Sequence, residues 1–200
     1  RAAPIYRYWR DQYEIAAVDS LENLPQDDPD VVILAQPRAM DPADLATLDA
    51  WVRTGGDAII LTDPDLVWPS DLPFGDPRRP LASGMLSPLL GHWGLEMVAA
   101  DGQPNTARLR FGGHAVITRG VGKLQPAAKG DSGAICKASG AGTIVQCSIG
   151  QGRATIVADA DFLNAAQWRE SARRSPRESE AVRFIDSLVR DHLGSTDAAK

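Results

Sequence analysis

The sequence predicts an α/β protein built on a mixed sheet, with a second half rich in β-hairpins. Three observations carry that reading. Two apolar, β-branched runs, Val31-Val-Ile-Leu-Ala35 and Asp57-Ala-Ile-Ile-Leu-Thr62, flank an amphipathic helix pattern. Two Gly-containing turns, at Gly112-Gly113 and Ser139-Gly-Ala-Gly142, each separate a pair of strand-like segments. A further apolar run, Arg153 to Ala158, ends in Asp159-Ala-Asp161 and precedes a second amphipathic helix.

Composition agrees. At 200 residues one domain is expected, over 1–194, with a flexible tail at 195–200. Hydrophobic residues at 44% and charged residues at 24% are ordinary for a globular chain and exclude a disordered one. A net charge of −5 argues against nucleic acid as a partner. No run approaches the ~18 apolar residues of a spanning helix. The chain begins at Arg1 without Met, so upstream residues are expected to have been removed, a signal or membrane anchor among them.

Taken in order, Tyr13 to Val18 reads as a short strand and Pro25 to Asp30 as a loop. Val31 to Ala35 reads as a strand buried on both faces. The next helix has Asp41 as N-cap, Pro42 at N1 and Asp44 at N3, near the positive end of the helix dipole. Leu45, Leu48, Trp51 and Val52 give its apolar face, and Gly55 suits the left-handed position after its end. Strand, capped helix and strand make a βαβ unit and hence a parallel pair. Residues 63–80 form a long loop rich in Pro and Asp, placed where open α/β sheets bind ligands. A short helix near Met85 to His92 precedes hairpins 108–111/114–118 and 134–137/143–148, then the strand 153–158. Ser175, Pro176 and Glu178 form a capping box for the last helix, with Ala181, Val182, Ile185, Leu188 and Val189 buried and Gly194 at its end.

The segment "DVVILAQPRAMDPADLATLDAWVRTGGDAIILTDPDL" resembles the auxiliary domain of bacterial ABC transporters, the group that includes gliding-motility transport components. "GQGRATIVADADFLN" is similar to that group's closing strand, and "WPSDLPFGDPRRP" and "HWGLE" point to an alphaproteobacterial subgroup. The resemblance implies a flavodoxin-like, type 1 glutamine amidotransferase-like three-layer sandwich. Active members of that wider superfamily carry a nucleophilic Cys on the turn after the strand that follows the crossover helix. Here that turn is Thr62-Asp63-Pro64, and Gln36-Pro37-Arg38 replaces the glycines of the oxyanion hole. Without a thiolate there is no such attack, so a non-enzyme is expected.

Other candidates have competing readings. Asp63, Asp65, Asp159 and Asp161 close apolar strands and could converge on a cation, as in a metal-dependent hydrolase, or could each cap a turn. Arg38, Arg78 and Arg79 could hold a carboxylate or phosphate, or pair within a solvated loop. Trp68 could stack on a sugar or a partner, or pin the loop; Trp51 and Trp93 read as core. His92, His114 and His192 lack metal-ligand spacing, and Ser132 and Thr118 lack a neighbouring His or Asp that would hint at a triad. Gly150-Gln-Gly152 reads as a turn.

The resulting expectation is a non-catalytic, periplasmic binding or scaffolding domain of an ABC-type transport system, with no cofactor and no metal. Partners would be a permease or another envelope protein, and a carbohydrate or small acidic ligand. Contact with the membrane would come only through a removed N-terminal anchor. A ligand would sit where the strands ending at Gln36, Thr62 and Ala158 meet the 63–80 loop, near Gln36, Arg38, Asp63, Trp68, Arg78, Arg79 and Asp161. Last, a four-residue loop at 140–143 sets 139 opposite 144 and therefore Cys136 opposite Cys147. That register predicts a disulfide, against the alternative of two buried thiols.

Overall fold

The computed structural model describes residues 3–73, 75–76, 79–99, 106–128, 133–169, 171–172 and 175–196. In chain order the elements are α1 (Pro4–Arg10), α2 (Leu24–Asp27), β1 (Val32–Ala35), α3 (Pro42–Arg53), β2 (Asp57–Leu61), α4 (Ser87–His92) and β3 (Leu95–Val98). Then follow β4 (Thr106–Phe111), β5 (His114–Arg119), β6 (Lys123–Pro126), β7 (Ile135–Ser139), β8 (Ile144–Ile149), β9 (Gly152–Val157) and α5 (Glu180–Thr196).

Every residue of β2 is buried, so the strand must be covered on both faces. It lies between β1 and β9, parallel to both, in a five-stranded mixed sheet of order β1-β2-β9-β8-β7. Strands β8 and β7 complete the sheet antiparallel. Alternation divides the core in two. Ala58 and Ile60 of β2 join Ala154 and Ile156 of β9 and Val145, Cys147 and Ile149 of β8 under Leu48, Trp51 and Val52 of α3 and Leu89, Leu90 and Trp93. Ile59 and Leu61 face the other way, with Val157, toward Phe184, Ile185 and Leu188 of α5. The pair β3–β6 adds to the first layer through Leu95 and Leu124, and the hairpin β4–β5 to the second through Leu109 and Val116. The expected α/β architecture with a mixed sheet and a hairpin-rich second half is therefore what the chain adopts. No helix among the described residues is long and apolar enough to cross a membrane.

The βαβ unit forms as its sequence predicts. Thr54 caps α3, and Gly55 adopts φ +123°. The N–H of Gly56 then reaches Trp51 O at 3.1 Å and that of Gly55 reaches Val52 O at 3.0 Å, the paired bonds of a Schellman end. At the other end the Asp41 side chain makes no capping bond. Asp44 instead accepts from the backbone N–H of Leu21 at 2.9 Å and the Ser20 hydroxyl at 3.0 Å, tying the incoming chain to the helix.

Four expectations are corrected. Residues 14–18 run without a strand, and helix α1 precedes them. A seven-residue helix has little stability of its own; α1 is fixed by tertiary bonds from Tyr8 Oη (3.0 Å) and Trp9 Nε1 (2.7 Å) to the Asp186 carboxylate on α5. Strand β1 lies at the sheet edge, so only Val32 in it is fully buried. Residues 176–178 form a single 3-10 turn, Ser175 makes no side-chain cap, and α5 begins at Glu180. The helix also runs past Gly194 to Thr196, since an isolated helical Gly costs only about 1 kcal/mol; 197–200 of the expected tail lie outside the described residues.

At the opposite end of the sheet from the loop 63–80, Asp57 opens β2 beside Arg153 of β9, which donates to it from Nε at 3.1 Å and Nη2 at 3.0 Å. His192 of α5 is wholly buried; its Nε2 lies 2.8 Å from Thr155 Oγ1 and its Nδ1 3.4 Å from Asp57 Oδ2. This knot fastens α5 to the sheet. Burial alone would raise the Asp57 pKa, but His192 and Arg153 outweigh it and hold the carboxyl below its usual range. Asp57→Ala, which removes the carboxylate that Arg153 and His192 share, is expected to cost about 3 kcal/mol in denaturant unfolding.

Cys136 and Cys147 pair in the predicted register, with Cα atoms 4.0 Å apart and a disulfide between them. The bond staples the edge strand β7 to β8. No thiol should titrate before reduction, and replacing both cysteines by Ser should cost about 2–3 kcal/mol on the chain-entropy estimate for so short a loop.

Candidate functional site

Parallel register builds the site. Leu61 of β2 is level with Val157 of β9, and the Thr62 N–H donates to Val157 O at 3.0 Å. Two residues further on, Asp63 and Asp159 leave the strand ends on one face of the sheet. The chain after β9 folds into a 3-10 turn, Asp161–Leu163, which returns Asp161 to the same place. The three side chains are fully buried, with a carboxylate oxygen from each within 4.8 Å of the others.

Much of their hydrogen-bonding capacity goes to the protein's own chain. Asp63 Oδ1 accepts from the Asp65 N–H at 2.7 Å and Oδ2 from the Ala160 N–H at 3.2 Å, so one carboxylate clamps the ends of both strands. Asp161 accepts from the Val67 N–H at 3.0 Å, and its carbonyl from Trp68 Nε1 at 3.3 Å. Both oxygens of Asp159 are reached by the Thr118 hydroxyl of β5, at 2.8 and 2.9 Å. Gln36, in a left-handed conformation (φ 45°) after β1, completes the frame. Its Oε1 accepts from the Asp63 N–H at 2.8 Å, and its Nε2 donates to the carbonyls of Asp63 and Leu81 at 3.2 and 3.1 Å. Gly120 is required where β5 leaves: its φ is +68°, and a Cβ there would stand 2.9 Å from the Asp65 carbonyl.

Three buried carboxylates this close cannot all ionise without compensation. Burial pushes Asp63 up to about 6, and burial together with the Asp63 charge pushes Asp161 up to about 7. Asp159 rises well above the ordinary range for the same two reasons. Chemically, the group can share protons or offer oxygen donors to one hard divalent cation.

The structure brings Gln36, Asp63, Trp68 and Asp161 of the predicted ligand set together, and Thr118 joins them. Asp65 does not: it is exposed, and it contributes its backbone N–H rather than its carboxylate. Arg38 stays exposed beyond β1. Arg79 turns back onto its own loop, with Nη1 donating to the carbonyls of Ser70 (3.2 Å) and Leu72. For Arg79 that is the pairing-within-the-loop reading, favoured because the carbonyls are local. Arg78 lies outside the described residues, as does Ser132. Trp68 packs against the second core layer and, through its bond to the Asp161 carbonyl, pins the loop. Thr118 was legible only as an isolated hydroxyl, since its partner Asp159 is far along the chain. His192 carried a readable signal, because it continues the 185, 188, 189 face of the last helix.

Residues 1–101 match the profile of the family described as an ABC-type uncharacterized transport system. The chain belongs to this family. The match takes in β1, α3, β2 and Asp63, whereas Asp159 and Asp161 lie beyond it. No curated protein matches the sequence. Among solved structures, an exo-beta-1,4-mannosidase from Opitutaceae bacterium strain TAV5 is similar at a TM-score of 0.49 and 16% identity, over 86% of this chain and 27% of that one. The chain thus spans about a quarter of that protein's length, and the likeness says nothing of its chemistry.

The pH dependence has two limbs. Asp63, Asp159 and Asp161 have raised folded pKa values, so the native state holds more protons than the unfolded chain between about pH 4 and 7, and stability falls as pH rises through that window. Asp57, held low, contributes stability above about pH 4 that is lost as pH falls further. Thermal unfolding should therefore be most resistant near pH 4, where the two limbs meet. Asp161→Asn, which keeps an acceptor for Val67 without the charge, should gain about 1–2 kcal/mol at pH 8 relative to its effect at pH 4.

Proposed function

We propose that this chain is a non-catalytic, extracytoplasmic binding or scaffolding domain of an ABC-type transport system. Membership of the family supports the transport association. The observation that carries the non-catalytic part is the state of the turn Thr62-Asp63-Pro64. A nucleophile must be presented to a substrate, whereas the Asp63 side chain is wholly buried and both its oxygens are taken by backbone N–H groups. Gln36, where oxyanion donors would be needed, spends its amide on Asp63 and Leu81. The extracytoplasmic placement rests on the disulfide, which persists in oxidising compartments.

The same reading extends to ancestry. Three parallel strands, the first two joined by the crossover helix α3, are what a glutamine amidotransferase-like, flavodoxin-like ancestor would leave, with the β7–β8 hairpin completing the sheet. A permease or another envelope protein is the proposed partner, and a carbohydrate or small acidic ligand would meet the strand ends near Arg38. The metal-dependent hydrolase is the weaker reading. It would use the carboxylates of Asp63, Asp159 and Asp161, but those of Asp63 and Asp161 are already accepting backbone bonds and Asp65 stands apart.

Asp63→Ala leaves the N–H groups of Asp65 and Ala160 unpaired. It is expected to cost about 2–3 kcal/mol and to raise hydrogen exchange in 64–68, with no turnover to lose. The check is hydrolysis of p-nitrophenyl phosphate and acetate with Mg²⁺ or Mn²⁺ present. Robust activity in the parent that vanishes in the variant would sink the non-enzyme reading.

A further inference from the structure

The hairpin β4–β5 has two unlike faces. Its inner side chains, Leu109, Val116 and Thr118, are buried against α5 and the aspartate cluster. A further tie runs from Ser187 Oγ to the Phe111 carbonyl at 3.2 Å. The outward side chains are set by the register Thr106↔Arg119, Arg108↔Ile117 and Arg110↔Ala115. Three of these six are Arg and none is acidic. Ile117, across from Arg108, is 54% exposed.

This is unusual in a chain of net charge −5. Elsewhere Arg53 pairs with Asp49 and Arg153 with Asp57 and Asp191. Among the described residues, no carboxylate lies within ion-pair distance of Arg108, Arg110 or Arg119, although Arg119 feels the charge of Asp161 from farther off. Because the inner face is packed and hydrogen-bonded, the guanidinium groups stand on a fixed platform, which lowers the entropy lost when they are engaged.

We propose that this outward face docks an acidic, extended segment of a partner protein. Arg108 and Arg110 are alternate residues of one strand, so their bases are about 7 Å apart, the spacing of alternate carboxylates on an extended acidic chain. Arg119 supplies a third fork across the ladder, and each fork can take a carboxylate bidentately. Ile117 gives the face an apolar centre within a charged rim, the layout of protein interfaces. A bilayer fits less well: the face offers only three charges and one exposed apolar side chain, fewer than the basic clusters that hold a protein on an anionic surface. The strand-end site is not involved, so this surface stands or falls separately from the non-catalytic reading.

The test uses the whole chain and a fluorescein-labelled heptapeptide alternating Glu and Thr. Anisotropy should show binding at low ionic strength that weakens steeply with added salt. The double variant Arg108→Ser, Arg110→Ser should lose at least tenfold in affinity with an unchanged circular dichroism spectrum, and Ile117→Ser should lose a few-fold. Arg190→Ser, on an exposed part of α5, should bind as the parent does. Four outcomes would overturn the proposal: no peptide binding at millimolar concentration, equal binding by the double variant, sedimentation with phosphatidylglycerol vesicles in place of peptide binding, or a self-associated parent that the double variant converts to monomer. The last two would hand the face to a lipid surface or to a second copy of this chain.

Discussion

The parallel pairing of β2 with β9 organises both layers of the core. The two strands are far apart in sequence, so closing that loop costs conformational entropy that local contacts cannot return. What returns it is burial: β2 has no exposed residue, and in β9 only Arg153 reaches toward solvent. A strand pair buried on both faces demands a layer on each side. Helices α3 and α4 supply one layer, and α5 with the β4–β5 hairpin supplies the other. The antiparallel strands β8 and β7 can then join at the open edge of β9, with the disulfide holding the outermost strand.

The same pairing creates an electrostatic problem at one end and a solution at the other. At the carboxyl ends, register places Asp63 beside Asp159, and Asp161 follows. Their burial is tolerated because backbone N–H groups and the Thr118 hydroxyl replace water and because the carboxyls can keep protons. At the amino ends, Asp57 is buried with Arg153 and His192, and its charge is stabilised. One end of the sheet is thus an ion-paired rivet for α5. The other is a strained group of acids that fastens the 63–80 loop and the β4–β5 hairpin to the strands. That difference places the response to protons between about pH 4 and 7 at the carboxyl end and the acid-side response, through Asp57, at the amino end.

Much of this was legible in the sequence. The crossover β1–α3–β2, the glycine-terminated end of α3, both hairpins, strand β9 and the register of Cys136 with Cys147 depend on residues close together in the chain. Their pattern, turn chemistry and parity determine them. Asp63 and Asp161 were visible as acids closing apolar strands, and Gln36 as the residue after β1. Their common use as loop clamps was not, because it depends on which N–H groups the fold brings within reach.

Local periodicity was enough to set the buried strands, the helix faces and the cysteine pairing. Tertiary structure alone decided the rest. It made β1 an edge strand, drew Tyr8 and Trp9 of an otherwise marginal helix onto Asp186, set α5 to begin at Glu180 and left Asp65 outside the acid cluster. Each of those outcomes turns on a partner remote in sequence, and the free energy of a contact or a buried charge exists only once that partner is in place.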